Sequence, residues 1–237
     1  MTGPAVPDRG DDPPQPPAVP DRRDDLPQPP AVPDRRDDPP QPPVVPGRDG
    51  AAGLDEQVPV ATTADMRYLG ERLSGLLRAG DLIVLSGPLG AGKTTLAQGI
   101  GAGLGVRGQV TSPTFVIARV HPSLGGGPDL VHADAYRLGS RAEVDDLDLD
   151  ADLATAVTIV EWGDGLVEDL ADSFLLISIE LGAGPTSAAD AESGPRTVRV
   201  TGSGERWQRP ESVTATRQAL TALAHRPDCP ARHTSRN

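Results

Sequence analysis

The sequence predicts an α/β fold, a P-loop nucleotide-binding domain with a mixed central sheet, preceded by a disordered proline-rich repeat. Three observations carry this. The run Gly87-Pro88-Leu89-Gly90-Ala91-Gly92-Lys93-Thr94 fits the pattern G-x-x-x-x-G-K-[ST] at every fixed position. The apolar run Leu82-Ile83-Val84-Leu85 precedes it, and Leu96, Ala97, Ile100 and Leu104 follow at helical spacing, so strand, loop and helix fall in the required order. Residues 1–50, by contrast, hold 16 of the 26 prolines and no aromatic residue. Such a stretch cannot bury a core.

Taken in order, the elements begin with that repeat. Its unit, Ala-Val-Pro-Asp-Arg-x-Asp-Asp-x-Pro-Gln-Pro-Pro, starts at Ala5, Ala18 and Ala31, with a degenerate copy from Val44. Pro-Gln-Pro-Pro resembles ligands of proline-binding modules. A low-complexity extension explains the segment as well. The folded part is expected to begin near Val58. Thr62-x-x-Asp65 resembles a capping box, and Met66, Leu69, Leu73, Leu76 and Leu77 mark one apolar helix face that Gly80 can end. Met66 and Tyr68 read as packing residues. Gly105 suits the C-cap of the helix after the glycine loop. Residues 115–120 read as a strand, 123–128 as turns, 130–135 as a short strand, and 143–153 as an acidic short helix or loop. Thr158-Ile159-Val160 is an apolar strand ending at Glu161. Residues 174–181 and 197–201 form a hairpin around the Gly/Ala/Ser-rich 182–194, and 211–224 is a final helix before a frayed end. The expected division is a repeat and linker over 1–57, an ATPase domain over 58–202, and a helix with a flexible tail over 203–237.

Composition narrows the function. The net charge is −12 and aromatics are 3%, a poor profile for a stand-alone nucleic-acid binder, which needs Lys and Arg to neutralise phosphate. Any link to RNA is expected to pass through a partner protein. Cys229 is the only cysteine, so no internal disulfide can form. The N-terminus has no apolar signal segment, and no run approaches the ~18 apolar residues of a membrane span. A soluble cytoplasmic protein without membrane contact is the expectation.

The glycine loop sets the chemistry. Its backbone N–H groups can cradle phosphate oxygens, Lys93 can reach the β- and γ-phosphates, and the Thr94 hydroxyl can ligate Mg²⁺. The following helix aims its positive end at the same anion. A nucleotide hydrolase also needs an acid near Mg²⁺ and a means of placing water. Asp134, near a strand end in His132-Ala133-Asp134-Ala135-Tyr136-Arg137, and Glu161 are the candidates; the sequence alone leaves open which does which. His132 suits a packed imidazole as well as a catalytic one. Thr111-Ser112-Pro113-Thr114-Phe115 is a candidate switch segment able to order against a γ-phosphate.

Together, Gly-Pro-Leu-Gly-Ala-Gly-Lys-Thr-Thr (87–95), Val-Thr-Ser-Pro-Thr-Phe (110–115), His132-x-Asp134-x-Tyr136-Arg137-Leu138 and Glu161-Trp162 closely resemble the TsaE family over roughly 58–200. These are ATPase subunits of the bacterial machinery that makes threonylcarbamoyladenosine in tRNA. The resemblance implies a small P-loop α/β domain that binds ATP and Mg²⁺ and hydrolyses ATP slowly alone. It also implies action with the threonylcarbamoyl-transferase subunit and its pseudo-paralogue, tRNA being met only through that complex. By position it implies Lys93, Asp134 and Glu161 as the catalytic set, with Thr94 and Glu161 at the Mg²⁺ positions and Asp134 in a supporting or water-positioning role. Nucleotide contacts would come from Thr63, Gly87, Leu89, Gly90, Ala91, Gly92, Lys93, Thr94, Thr95, Thr111, Ser112 and Trp162. Arg196 would border the adenine. Pro88 stands where the family usually has an acid, and Ala133 and Ala135 replace larger apolar residues.

Two other readings use the same loop. A small-molecule kinase would need a lid of arginines, and 106–160 holds only Arg107, Arg119, Arg137 and Arg141, without a lid pattern. A non-catalytic, nucleotide-dependent assembly factor would not need the intact Lys93, Thr94 and Glu161.

Overall fold

In chain order the elements are β1 (Asp55–Val60), α1 (Thr63–Ser74), β2 (Leu82–Ser86), α2 (Lys93–Leu104), β3 (Ala118–His121), β4 (Asp129–Asp134), α3 (Arg141–Asp145), β5 (Ala156–Glu161), β6 (Phe174–Leu181), β7 (Arg196–Ser203), α4 (Glu205–Gln208) and α5 (Pro210–Ala224). A computed structural model describes residues 53–113, 117–138, 140–145, 153–182 and 194–224. The proline repeat, Thr114 and Phe115, most of the acidic 143–153 stretch, residues 183–193 and the tail after 224 lie outside the described residues.

The strands form one seven-stranded sheet in the order β1-β7-β6-β2-β5-β4-β3. Its centre, β6-β2-β5-β4, is parallel, and the pairs at both flanks are antiparallel. Parallel strands are buried on both faces, which is why β2 reads as a continuous apolar run. Ile83 and Leu85 enter a core with α1, α2 and α5, while Leu82 and Val84 enter a second core with Val131, Ala133, Val144 and Val167 on the other face. The small Ala133 and Ala135 belong to that second core and are fully buried.

α1 starts as its sequence dictates. Thr62 Oγ1 accepts from the Asp65 N–H, and the Asp65 carboxylate accepts from the Thr62 N–H, completing the capping box. The helix ends at Ser74 with Gly75 as its cap, earlier than the expected stop at Gly80. Leu76 and Leu77 leave the helix but still pack on the core, so their apolar spacing reported burial rather than helix. α1 and α2 pack closely because small residues face each other: a Cβ on Gly99 would lie 2.1 Å from the Arg67 carbonyl oxygen.

Two expectations are corrected. β1 begins at Asp55, ahead of the Val58 start, and pairs with β7 across the whole strand. Of the strand expected over 115–120, residues 115 and 116 lie outside the described residues, Ile117 turns the chain at φ 68°, and β3 runs Ala118–His121. The hairpin of β6 and β7 and the final helix form as expected. Arg206 ties that C-terminal part to the turn before β2. Its guanidinium pairs with Asp81 at 3.2 Å and donates to the Leu76 carbonyl at 2.8 Å.

Candidate functional site

β2, β4 and β5 end side by side, and the register puts Glu161 opposite both Leu85 and Asp134. In open α/β sheets, ligands bind in the crevice outside the carboxyl ends of the strands. The chain leaves β2 through the glycine loop and re-enters as α2, whose N-cap is Gly92 at φ 109°. Only a residue without Cβ adopts this freely. No side-chain oxygen caps α2, so its first N–H groups keep no intrahelical partner and favour an anion. Gly87 is as constrained: a Cβ there would lie 2.4 Å from the Ile179 carbonyl oxygen.

A cavity of about 360 Å³ opens on this loop, lined by Thr63, Met66, Leu89, Gly90, Gly92, Lys93, Thr94, Thr95, Glu161, Trp162 and Arg196. Lys93 Nζ donates to the carbonyl oxygens of Gly87 at 2.7 Å and Pro88 at 3.0 Å, and lies 3.6 Å from the centre of the Trp162 ring. Burial pushes the Lys93 ammonium down to about 8, an effect that the nearby Glu161 and Asp134 carboxylates partly offset. Thr94 Oγ1 donates to both oxygens of Glu161, at 2.8 and 3.1 Å. The other donor on Glu161 is His132, whose Nε2 lies 2.9 Å from Oε1. Asp134 is buried beside this group, and its Oδ1 accepts from the Tyr136 N–H at 2.9 Å.

Trp162 takes φ 59°, which for a bulky side chain costs about 1–3 kcal/mol and is held only where surrounding contacts impose it. Its N–H donates to the Leu85 carbonyl at 2.9 Å, and its ring meets Tyr136 at 5.3 Å between centroids. The strained turn thus aims the indole across the lysine. Arg196 reaches the loop from β7. Its Nε donates to the Ala91 carbonyl at 3.0 Å, Nη2 to Gly90 at 3.3 Å, and Nη1 to Gly194.

The structure therefore brings together Thr63, Leu89, Gly90, Gly92, Lys93, Thr94, Thr95, Glu161, Trp162 and Arg196 around one cavity. Gly87 and Ala91 shape the loop from behind. Thr111 and Ser112 are exposed and do not line it; Thr111 Oγ1 accepts from Arg119 at 3.3 Å. Of the rest of the expected switch, Pro113 is buried and Thr114 and Phe115 lie outside the described residues. Two neighbours were named in the sequence but not assigned to the site: Met66, expected only to pack, lines the cavity, and His132, left open between packing and chemistry, bonds Glu161. Met66 stands one turn after Thr63 on the same face of α1, so the i, i+3 spacing carried the signal. His132 stands two residues before Asp134 on the same face of β4, and alternation along a strand carried that one.

Glu161 and Thr94 offer hard oxygen donors at one point, the donor type that Mg²⁺ takes alongside substrate phosphates. No group of three or more His, Cys, Asp or Glu residues suited to a metal occurs among the described residues.

Strand, glycine loop, buried lysine and helix, with two carboxylates on adjoining strand ends, define a P-loop α/β domain. The chain belongs to the TsaE family: the family model described as "Threonylcarbamoyl adenosine biosynthesis protein TsaE" matches residues 60–188. Among curated relatives, the tRNA threonylcarbamoyladenosine biosynthesis protein TsaE of Streptomyces coelicolor is 62% identical over 143 residues, which cover 60% of this chain and 93% of that protein. The protein of the same name from Mycobacterium tuberculosis is 52% identical over 123 residues, 49% of this chain and 73% of its own. The one from Bacillus subtilis is 33% identical over 145 residues, 61% and 84%. Among solved structures, the crystal structure of Bacillus subtilis YdiB superposes with a TM-score of 0.51 at 23% identity, covering 74% of this chain and 98% of that one. That likeness speaks for the fold.

Proposed function

We propose that this chain binds and slowly hydrolyses ATP with Mg²⁺ as a subunit required for threonylcarbamoylation of adenosine in tRNA. The observation that carries the reading is the contact of Thr94 with Glu161 beside Lys93, on one cavity at the carboxyl ends of the parallel strands. The names of the relatives supply the pathway.

In this reading the loop N–H groups and Lys93 hold the phosphates, and Thr94 and Glu161 hold Mg²⁺. The ion, when bound, neutralises charge on the β- and γ-phosphates. Lys93 exchanges its two carbonyl partners for phosphate oxygens and keeps Trp162 over its ammonium. Asp134, buried beside Glu161 at the strand ends, supports the site and helps order the attacking water. Thr63, Met66 and Arg196 border the rest of the nucleotide. No helix among the described residues is long and apolar enough to cross a membrane, in keeping with work in the cytoplasm.

The transferase subunit and its pseudo-paralogue are the proposed partners, and tRNA is met through them, because the acidic chain is a poor match for polyphosphate. Single-turnover ATP hydrolysis, with and without these subunits, tests the reading. Water as acceptor and a rate that changes with the partners are expected. Phosphate recovered on a small-molecule acceptor would favour the kinase instead.

A further inference from the structure

His132 is fully buried on β4 and makes one described side-chain hydrogen bond, to Glu161. A carboxylate only accepts, so Nε2 must carry the proton, and Nδ1 is left buried without a partner. An orphaned buried nitrogen is unfavourable, and a purely packing position would be better filled by an apolar residue. What sets the histidine apart from an apolar residue here is the one bond the ring does make.

That bond is selective. Glu161 Oε1 receives both His132 at 2.9 Å and Thr94 at 2.8 Å, whereas Oε2 receives only the longer Thr94 contact at 3.1 Å. With two donors on one oxygen, the carboxylate cannot rotate without breaking the buried histidine bond. Thr94 belongs to the mobile partner in this exchange, since its hydroxyl can turn; the imidazole, packed at 0% exposure, cannot.

We propose that His132 is a positioning residue for the metal-site carboxylate: it pins Oε1 of Glu161 and so presents Oε2 toward a divalent cation. This rests on the reading of the cavity as a Mg²⁺–nucleotide site. Outer hydrogen bonds of this kind orient metal-ligating carboxylates, and their loss costs about 10–100-fold in metal affinity.

The test uses the full chain, a non-hydrolysable ATP analogue and Mg²⁺ titrations by calorimetry, so it reads binding rather than turnover. His132→Asn fills part of the space but cannot reach Glu161 with its amide. His132→Gln places an amide N–H near the position of Nε2. The expected result is a Mg²⁺ requirement raised about tenfold or more in His132→Asn, with metal-free nucleotide affinity close to wild type and a lowered melting temperature, since the buried bond to Glu161 is lost. His132→Gln should restore most of the Mg²⁺ affinity. An unchanged Mg²⁺ requirement in His132→Asn overturns the proposal. So does an equal loss of melting temperature and metal-free affinity in both variants, which is the mark of a packing role. Wild type that binds no nucleotide with Mg²⁺ overturns the underlying reading, and the His132 proposal with it.

Discussion

Thr94, the second residue of α2, donates its hydroxyl to Glu161, the last residue of β5, at 2.8 Å. The contact joins the start of α2 to the carboxyl end of β5, where the proposed function seats a cation. Glu161→Ala should therefore raise the Mg²⁺ needed for half-maximal nucleotide binding by about tenfold or more. It should also lower stability by about 1–3 kcal/mol, because the buried His132 N–H loses its acceptor. Asp134→Ala should behave differently, slowing single-turnover hydrolysis by roughly 10²-fold while nucleotide affinity changes little. Calorimetry at varied Mg²⁺ and single-turnover rates check both; the opposite pattern would exchange the two roles.

Lys93 is the only lysine in the chain, so its titration can be isolated. Burial holds it at about 8 in the folded protein. An unfolded lysine titrates near 10.4, so between about pH 8 and 10 the unfolded chain keeps a proton that the folded protein has released. Stability contributed at this site therefore rises with pH across that window and is lowest below pH 8, where the buried charge is fully present. Urea unfolding of wild type against Lys93→Met, at pH 7 and 9.5, should show a wild-type gain that the variant lacks. Nucleotide phosphates favour the charged form, so ATP binding at pH 8.5 should take up most of one proton, and little at pH 7. Calorimetry in buffers of different ionisation enthalpy reads the uptake; none at pH 8.5 would contradict the assignment.

Arg196 braces the loop by donating to the carbonyls of Ala91 and Gly90. Three directed bonds suit a planar guanidinium and not a single ammonium. Arg196→Ala and Arg196→Lys should both weaken nucleotide binding and destabilise the fold, by about 1–3 kcal/mol for the carbonyls left unpaired. Denaturant midpoints and nucleotide affinities measure this. Full rescue by lysine would show that charge, not the brace, matters at this position.

What the sequence made legible follows from how local each signal is. The strand–loop–helix unit at 82–104 was readable because its apolar spacing, glycines and lysine lie within one short stretch. β1 was not: in Asp55–Val60 only Val58 and Val60 are buried, and Pro59 argues against a strand. Its pairing partner β7 lies far along the chain, and an edge position tolerates the proline. Ile117 looked like strand because it is β-branched and apolar, yet its φ of 68° is imposed by the turn into β3. Asp134 and Glu161 were visible as strand-end acids. The link between Glu161 and His132 needed the β4–β5 register, which no local pattern contains.

Both hydrophobic cores are built from residues between Leu54 and Leu223. Deleting Met1–Gly50 removes none of them and none of the cavity residues. The truncated chain should melt within about 2 °C of the full one, a shift corresponding to under ~1 kcal/mol. Its basal ATPase rate should also be unchanged. A large loss in either, by calorimetric melting or phosphate release, would show that the extension docks on the domain.

The central claim is that Lys93 and the loop around it hold the phosphates of a Mg²⁺-bound nucleotide. The most direct measurement is calorimetric titration of the full chain with ATP and Mg²⁺, wild type beside Lys93→Ala. The account predicts one saturable site in wild type. It predicts affinity roughly tenfold to a hundredfold weaker in the variant, since a charge-assisted contact is lost while the fold survives. Equal affinity in the two proteins, or no saturable binding by wild type, would contradict it.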